Sequence, residues 1–334
     1  MEFRVLGPLE VHVSGQQVII GSSKQRALLT ALLVNANSVV ATDRLVNLLW
    51  RDDASPSARK SLQSCVARLR HRLEASEPKR LIVTRPPGYL VEIDRSRMDA
   101  SRFEDLARQG SRILRRDPAG ALALLDSALS LWCGPAYSEL DDDVARAESS
   151  RLEELRVAAA DDRAVALLAV GRTTEAIGEL EAMVADRPLR DRPYGQLMVA
   201  LAQAGHQVEA LRVYQRYRRL LADEVGREPP AALCEQERLI LEQVPSVLDV
   251  DHLQVPREAL GNIRPDATSF VGREHERAEM TAALDRARIV TLVGPGGAGK
   301  SRLGLRVASE RAHGYRDGVW VADLASIVSP RAVA

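Results

Sequence analysis

Residues 167–184 and 201–218 repeat one another at an offset of 34, pairing Gly171 with Gly205, Glu175 with Glu209 and Ala176 with Ala210. Few features narrow a fold as much. That offset is the period of the tetratricopeptide helix pair, a unit that cannot bury its apolar face alone and so must stack on its neighbours. The paired glycines fall where a first helix turns into a second, and the paired alanines where two helices approach closely. Helical apolar spacing continues on both sides, covering about 145 residues beyond Asp99. Two clear repeats fall short of a full array, so earlier helices, such as one over 119–131, are expected to complete the core.

The chain ahead of residue 21 obeys another period. Phe3 and Val5, then Leu9, Val11 and Val13, alternate as in strands; Ser14-Gly15-Gln16 makes a turn, and Val18 and Ile20 resume the alternation. From Gln25 the spacing turns helical, with Leu28, Ala31 and Leu32 on one face. Thr42 can cap a second helix carrying Leu45, Val46 and Leu49, and Ser55-Pro56 can start a third that runs to about Glu74. Two short runs, 81–84 and 89–93, flank Arg85-Pro86-Pro87-Gly88 and read as a β-hairpin.

The third helix is the candidate reader of DNA. At about 100° per residue, Leu62, Val66, Leu69 and Leu73 form one buried stripe. Lys60, Ser64, Ala67 and His71 point away from it, flanked by Gln63 and Arg68. Such side chains match the donor and acceptor pattern of a major groove. Alone, the same face is equally that of a solvated amphipathic helix. The order of strands, three helices and a hairpin with a basic tip is that of a winged helix. In that setting Lys24, Arg26, Arg44 and Arg85 would hold phosphates, which position a protein without specifying sequence.

Pro245, Pro256 and Pro265 punctuate a stretch without periodicity, read as a linker over 244–268. Arg288 to Val293 is a buried-strand signal, and Gly294-Pro295-Gly296-Gly297-Ala298-Gly299-Lys300-Ser301 follows it at once, ahead of a helical pattern. This is the phosphate-binding loop in its required setting. Gly294, Gly296, Gly297 and Gly299 would turn backbone amides inward, Lys300 would neutralise β/γ-phosphate charge, and Ser301 would ligate Mg²⁺. ATP or ADP with Mg²⁺ is therefore a possible ligand, whereas DNA binding calls for no cofactor. Turnover needs more than this loop. Val319 to Ala322 reads as the next strand, but Asp323 alone there is more often a polar strand end than a metal organiser.

Charge divides the chain further. Residues 1–98 carry 15 Lys and Arg against 9 Asp and Glu, residues 99–260 carry 20 against 29, and residues 261–334 carry 11 against 8. A basic front joined to an acidic middle implies two jobs. No apolar run approaches the length of a membrane span, and Met1-Glu2-Phe3-Arg4 lacks the plan of a signal peptide, so a soluble cytoplasmic protein is expected. Cys65, Cys133 and Cys234 lie far apart, the histidines show no ligand spacing, and no nucleophile triad stands out. Arg212, Arg216, Arg218 and Arg219 with Tyr214 and Tyr217 could stack RNA; packed tyrosines beneath an exposed arginine face is the plainer reading. The expected fold is an α+β winged helix over 1–96, an all-α tetratricopeptide-like domain over 97–243, the linker, and a partial α/β P-loop segment over 269–334.

Three blocks in order resemble the Streptomyces antibiotic regulatory protein family. They are the hairpin with Arg85-Pro86-Pro87-Gly88-Tyr89, then Met98-Asp99 with Phe103, then Leu131-Trp132-Cys133-Gly134-Pro135. Leu197 to Leu201, Gly205, Glu209-Ala210-Leu211, Tyr214 and Leu220 to Pro229 extend the likeness over roughly residues 3–243. Phe270-Val271-Gly272-Arg273-Glu274 and the P-loop resemble the start of the NB-ARC-type ATPase of large, AfsR-like members, so a truncated form of a longer chain is expected. The resemblance implies an OmpR-type winged helix joined to a bacterial transcriptional activation domain. It implies an activator of antibiotic-biosynthesis genes that binds direct repeats near the −35 element as side-by-side protomers. It implies recruitment of RNA polymerase holoenzyme through sigma and alpha subunits, hence a nucleoid-associated protein and no enzyme. Arg59, Lys60, Gln63, Ser64 and Arg68 would read the groove, with Arg85 and Tyr89 on the wing. The loop from Arg51 to Ser57 is long for a helix-turn-helix, and the resemblance implies a contact with polymerase there. With strands beginning at Phe3, a preceding phosphoacceptor domain is not expected. Two other readings remain: a nucleotide-driven switch centred on Lys300, and a repeat scaffold that ignores DNA.

Overall fold

The computed structural model describes residues 1–50, 57–74, 81–243, 272–287, 289–295, 299–311 and 319–321. They fall in two compact units, 1–253 and 254–334. No helix among the described residues is long and apolar enough to cross a membrane.

The first unit opens with a small antiparallel sheet of β1 (Glu2–Arg4), β2 (Glu10–Val13) and β3 (Gln16–Gln17). Phe3 lies opposite Val11, and both side chains are fully buried, as the alternation requires. The third strand is shorter than the alternation implies: Val18 still donates to the Val11 carbonyl, but Ile19 is exposed and only Ile20 returns to the core. Helix α1 (Ser23–Val34) follows, with the Ser22 hydroxyl accepting from the Gln25 amide at its N-terminus.

β4 (Val40–Ala41) and α2 (Thr42–Trp50) lead to α3 (Ala58–Glu74) and the hairpin of β5 (Ile82–Arg85) and β6 (Gly88–Val91). The strands order as β4-β6-β5, so the hairpin is held along β6 by a strand that precedes the second helix. Thr42 has a different task from the cap expected of it. Its hydroxyl and its amide both donate to the Pro87 carbonyl and tie the hairpin turn to α2. Gly88 is required by crowding, since a β-carbon there would stand 1.9 Å from the Val40 carbonyl oxygen.

From Asp99 the unit is helical: α4 (Asp99–Ile113), α5 (Pro118–Leu129), α6 (Asp143–Ala169), α7 (Thr173–Asp186), α8 (Asp191–Gln203), α9 (Gln207–Val225) and α10 (Ala231–Leu241). The 34-residue repeat is the end of α6 with α7, and the end of α8 with α9. Gly171 and Gly205 both sit at φ +81°, where a side chain would be strained, and each reverses the chain between its two helices. Tyr194 of α8 stacks on Tyr217 of α9 with ring centroids 4.1 Å apart. Asp161 and Asp162 of α6, both buried, meet Arg190 at 3.1 Å and Arg192 at 2.7 Å respectively, an ionic layer that apolar periodicity does not disclose.

The winged helix and the helical region share one core. A single cluster of buried side chains runs from Phe3, Leu28 and Leu62 through Met98 and Phe103 to Leu125, Tyr137 and Leu152. The strap between them is the segment Phe3–Gly7. Asp99, buried at the start of α4, accepts from the amides of Val5 at 2.9 Å, Leu6 at 3.1 Å and Ala100 at 2.7 Å. In the other direction the Cys133 backbone amide donates to the Leu6 carbonyl and the Tyr137 backbone amide to the Val5 carbonyl. Burial pushes the Asp99 carboxyl above the usual carboxylate range, and these amides pull it back.

In the second unit α11 (Glu274–Arg286) and α12 (Lys300–Arg311) are helical. Of the strand expected over 288–293, Arg288 lies outside the described residues; residues 289–293 have no strand assignment, and Ile289 and Val293 are exposed. A parallel strand needs neighbours for its backbone groups, and no described residues flank it as strands. Val319 forms an isolated bridge where the next strand was expected. The linker, Phe270-Val271 and Asp323 lie outside the described residues.

Removing the Asp99 carboxylate leaves the Val5 and Leu6 amides buried without acceptors. Asp99→Ala is expected to cost about 2–4 kcal/mol. Asp99→Asn, which keeps one acceptor oxygen and turns its NH₂ group toward the remaining amide, should recover part of it. Urea unfolding followed by circular dichroism measures both; a loss under about 0.5 kcal/mol would mean that the strap is held by apolar contacts alone.

Candidate nucleic-acid interface

Helix α3 divides cleanly. Leu62, Val66, Leu69 and Leu73 are each no more than 1% exposed, joined on the inner side by Ala58 and Cys65. Arg59, Lys60, Gln63, Ser64, Ala67, Arg68 and His71 are all exposed. Two further arginines, unremarked in the sequence, hold the helix in place. Arg70 donates to the Ile82 carbonyl at 2.9 Å and the Thr84 hydroxyl at 2.8 Å, fastening α3 to the first hairpin strand. Arg72 donates to the Ile19 carbonyl at 2.7 Å. Only their place next to the leucine stripe could have marked them.

The structure sorts the remaining expected contacts. Lys24 lies over the Trp50 ring at 4.7 Å. Lys24 and Arg68 also both lie within electrostatic reach of the Cys65 thiol, which burial pushes up and these two cations pull down. The first turn of α1 and the middle of α3 therefore present positive charge together. Arg85 is exposed at the end of the first hairpin strand. Arg59 pairs with Asp43 at 2.6 Å, but with both side chains about 70% exposed the pair leaves the guanidinium open to exchange.

Three expected contacts are placed elsewhere. Tyr89 is only 8% exposed and belongs to the core, because β6 is the central strand of its sheet and all four of its residues are buried. Arg26 donates to the Leu9 carbonyl at 3.0 Å and pairs with Glu139, while Arg44 pairs with Asp142 at 3.0 Å. Both acids belong to the connection from α5 into α6, so these two arginines brace the front domain against the helical one. The loop residues Arg51 to Pro56 lie outside the described residues.

In the second unit Lys300 opens α12 and donates to the Gly294 and Pro295 carbonyls, 2.8 Å each. Gly299 stands at φ +71° and Ser301 is exposed; Gly296 and Gly297 lie outside the described residues.

A polar helix seated beside a three-stranded sheet, fused through one core to a stacked helical array, is the architecture of a winged-helix domain joined to a tetratricopeptide-like domain. Comparison with known proteins agrees. Residues 15–91 match the family described as transcriptional regulatory protein, C terminal, and residues 98–241 match the bacterial transcriptional activator domain. The transcriptional regulatory protein MoaR1 of Mycobacterium tuberculosis is 34% identical over 250 residues, covering 73% of this chain and 80% of its own length. The transcriptional regulator RedD of Streptomyces coelicolor is 35% identical over 250 residues, covering 73% and 71%. The regulatory protein AfsR of Streptomyces griseus is 32% identical over 341 residues, 97% of this chain; the chain spans 34% of that relative. The solved structure of Mycobacterium tuberculosis EmbR in complex with a low affinity phosphopeptide superposes with a TM-score of 0.69 at 33% identity, covering 75% of this chain and 66% of that one. The chain belongs to the Streptomyces antibiotic regulatory protein family.

The bond from Arg26 holds the Glu139 carboxyl below the usual range, against an opposing push from burial. A depressed carboxyl stabilises the fold above its unfolded value of about 4.3, and that contribution is lost as pH falls through the folded value. Glu139→Gln is therefore expected to lower stability by about 0.5–2 kcal/mol at pH 7, with the gap to the native chain closing below about pH 4. Paired urea titrations at the two pH values test this, and a gap independent of pH would sink it.

Proposed function

We propose that this chain is a sequence-specific DNA-binding transcriptional activator, in which α3 enters the major groove and the helical domain meets RNA polymerase. The observation that carries the reading is the division of α3: an apolar stripe wholly buried, a polar and basic face wholly exposed, and two arginine ties to neighbouring segments. Lys60, Gln63, Ser64 and Arg68 would face base edges, with Arg59 at the entry. Lys24 and Arg85 would take phosphates on the two flanks. The placements of Arg26 and Arg44 support a role in holding the domains together, in place of the phosphate contacts first expected of them, and buried Tyr89 leaves the wing to Arg85.

Direct repeats near a −35 element are the target that this family's architecture favours. A direct repeat places neighbouring protomers head to tail, so the contact between them joins two different faces of the chain. The shared core supports a recruitment mechanism, because a protomer seated on its half-site would carry the helical domain toward polymerase in a set orientation. Contacts with sigma and alpha subunits, and a place in antibiotic-gene control, belong to the same proposal. At the P-loop, the lysine at the head of α12 favours binding of a nucleotide phosphate with Mg²⁺ near Ser301.

Fluorescence anisotropy on a duplex carrying two direct repeats tests the groove assignment. Lys60→Ala with Arg68→Ala is expected to weaken binding by about 1–3 kcal/mol per lost base contact and to flatten the preference over a scrambled duplex. Arg85→Ala should weaken both duplexes alike and reduce the salt slope by about one. Unchanged affinity in the double variant would rule out α3 as the reading helix.

A further inference from the structure

Helix α9 carries charge that its place in the repeat does not explain. Arg212, Arg216 and Arg219 recur at the spacing of one helix face, and all three are exposed. The 34-residue offset pairs them with Gly178, Ala182 and Ala185 of α7, which are likewise exposed on the outer side of the sister repeat. The repeat's packing is therefore satisfied by the smallest side chains at these positions. What α9 needs for stacking is on its other side, in Ala210, Val213, Tyr214 and Tyr217, all buried.

The three also differ from the arginines of this domain that are held in ion pairs. Arg108, Arg146, Arg192 and Arg238 each reach a carboxylate within 3.0 Å, and Arg218, their own neighbour in α9, pairs with Glu228 at 2.8 Å. Arg212, Arg216 and Arg219 have no carboxylate partner among the described residues. Val208, one turn earlier on the same face, is 57% exposed and adds an apolar contact point.

We propose that the outer face of α9 is a docking surface for an acidic protein segment, bound by the guanidinium groups of Arg212, Arg216 and Arg219. Guanidinium forks suit carboxylates, which they bind through two parallel hydrogen bonds. The three span about 10 Å of helix axis, the reach of two turns of a partner helix. A nucleic acid fits less well. The stripe is bounded by Glu209 and Asp223 on the same side of the helix, and residues 99–260 carry 29 acidic against 20 basic side chains. A duplex adds a phosphate charge every ~1.7 Å along its axis and would run onto those acids, whereas a short carboxylate segment ends before them. This surface is separate from α3, and the proposal does not depend on DNA recognition.

The test uses the full chain and a fluorescein-labelled peptide of about 14 residues with glutamates at i, i+4 and i+7 in an alanine and glutamine background. Anisotropy should show salt-sensitive binding to the native chain. The triple variant Arg212→Glu, Arg216→Glu, Arg219→Glu should lose at least about tenfold, while the three Arg→Lys changes should keep part of it. A peptide with glutamine in place of the glutamates should not bind. A random 25-base-pair duplex, run alongside as probe, should bind native and triple-variant chains equally. Equal peptide binding by both chains, or none by the native chain, overturns the proposal. So does a duplex affinity that falls together with the peptide's, which would make the face a nucleic-acid surface. Matching circular dichroism spectra of the chains keep a folding defect from imitating the expected loss.

Discussion

The carboxylate of Asp99 takes up the amides of Val5, Leu6 and Ala100, and the geometry of the first unit follows from that bond set. Buried backbone donors must find acceptors, and the strap that carries Val5 and Leu6 has left its own sheet by that point. A side chain from the first turn of α4 serves in place of a strand. Cys133 and Tyr137 complete the exchange from the other side by donating to the strap's carbonyls. Two segments some ninety residues apart are thereby held in register, and Phe3, Met98 and Phe103 close over one core. The carboxylate is costly to bury, which explains why so many donors converge on it.

The same economy of arginines recurs at every junction. Arg70 and Arg72 are used on carbonyls to set the attitude of α3, and Arg26 and Arg44 are used on Glu139 and Asp142 to brace the domains. Arginines that would look alike as surface charge thus divide into struts and free cations. The division matters for recognition, because a helix whose own basic residues were tied down could not offer them to a groove. In α3 the struts are spent on neighbouring backbone and hydroxyl groups, and Lys60, Gln63, Ser64 and Arg68 stay exposed.

Much of this was legible before any coordinates. The switch from period two to helical spacing located the small sheet and α1, the leucine stripe of α3 was placed residue by residue, and the paired glycines at 171 and 205 marked the repeat. These features are local, and local spacing reports which side of an element is buried. What escaped the reading is set by distant partners. Tyr89 reads as a wing contact in the sequence, which does not disclose that β6 is the central strand of its sheet and buried throughout. Arg26 and Arg44 looked like phosphate contacts because Glu139 and Asp142 lie more than ninety residues away. The buried pairs of Asp161 and Asp162 with Arg190 and Arg192 interrupt an apolar pattern without any signal of their own. The strand expected over 288–293 had the composition of one but not the neighbours.

The continuous core also bears on how such regulators diversify. A crossover at Arg95, where a reader of the sequence would cut, would graft a helical array onto a front end whose first strand it had never met. Such a chimaera would inherit mismatched halves of a joint made by Phe3 to Gly7, Asp99, Cys133 and Tyr137. Exchange between lineages is easier when the amino-terminal strand travels with the helices it touches, so in this architecture the heritable module is discontinuous along the gene.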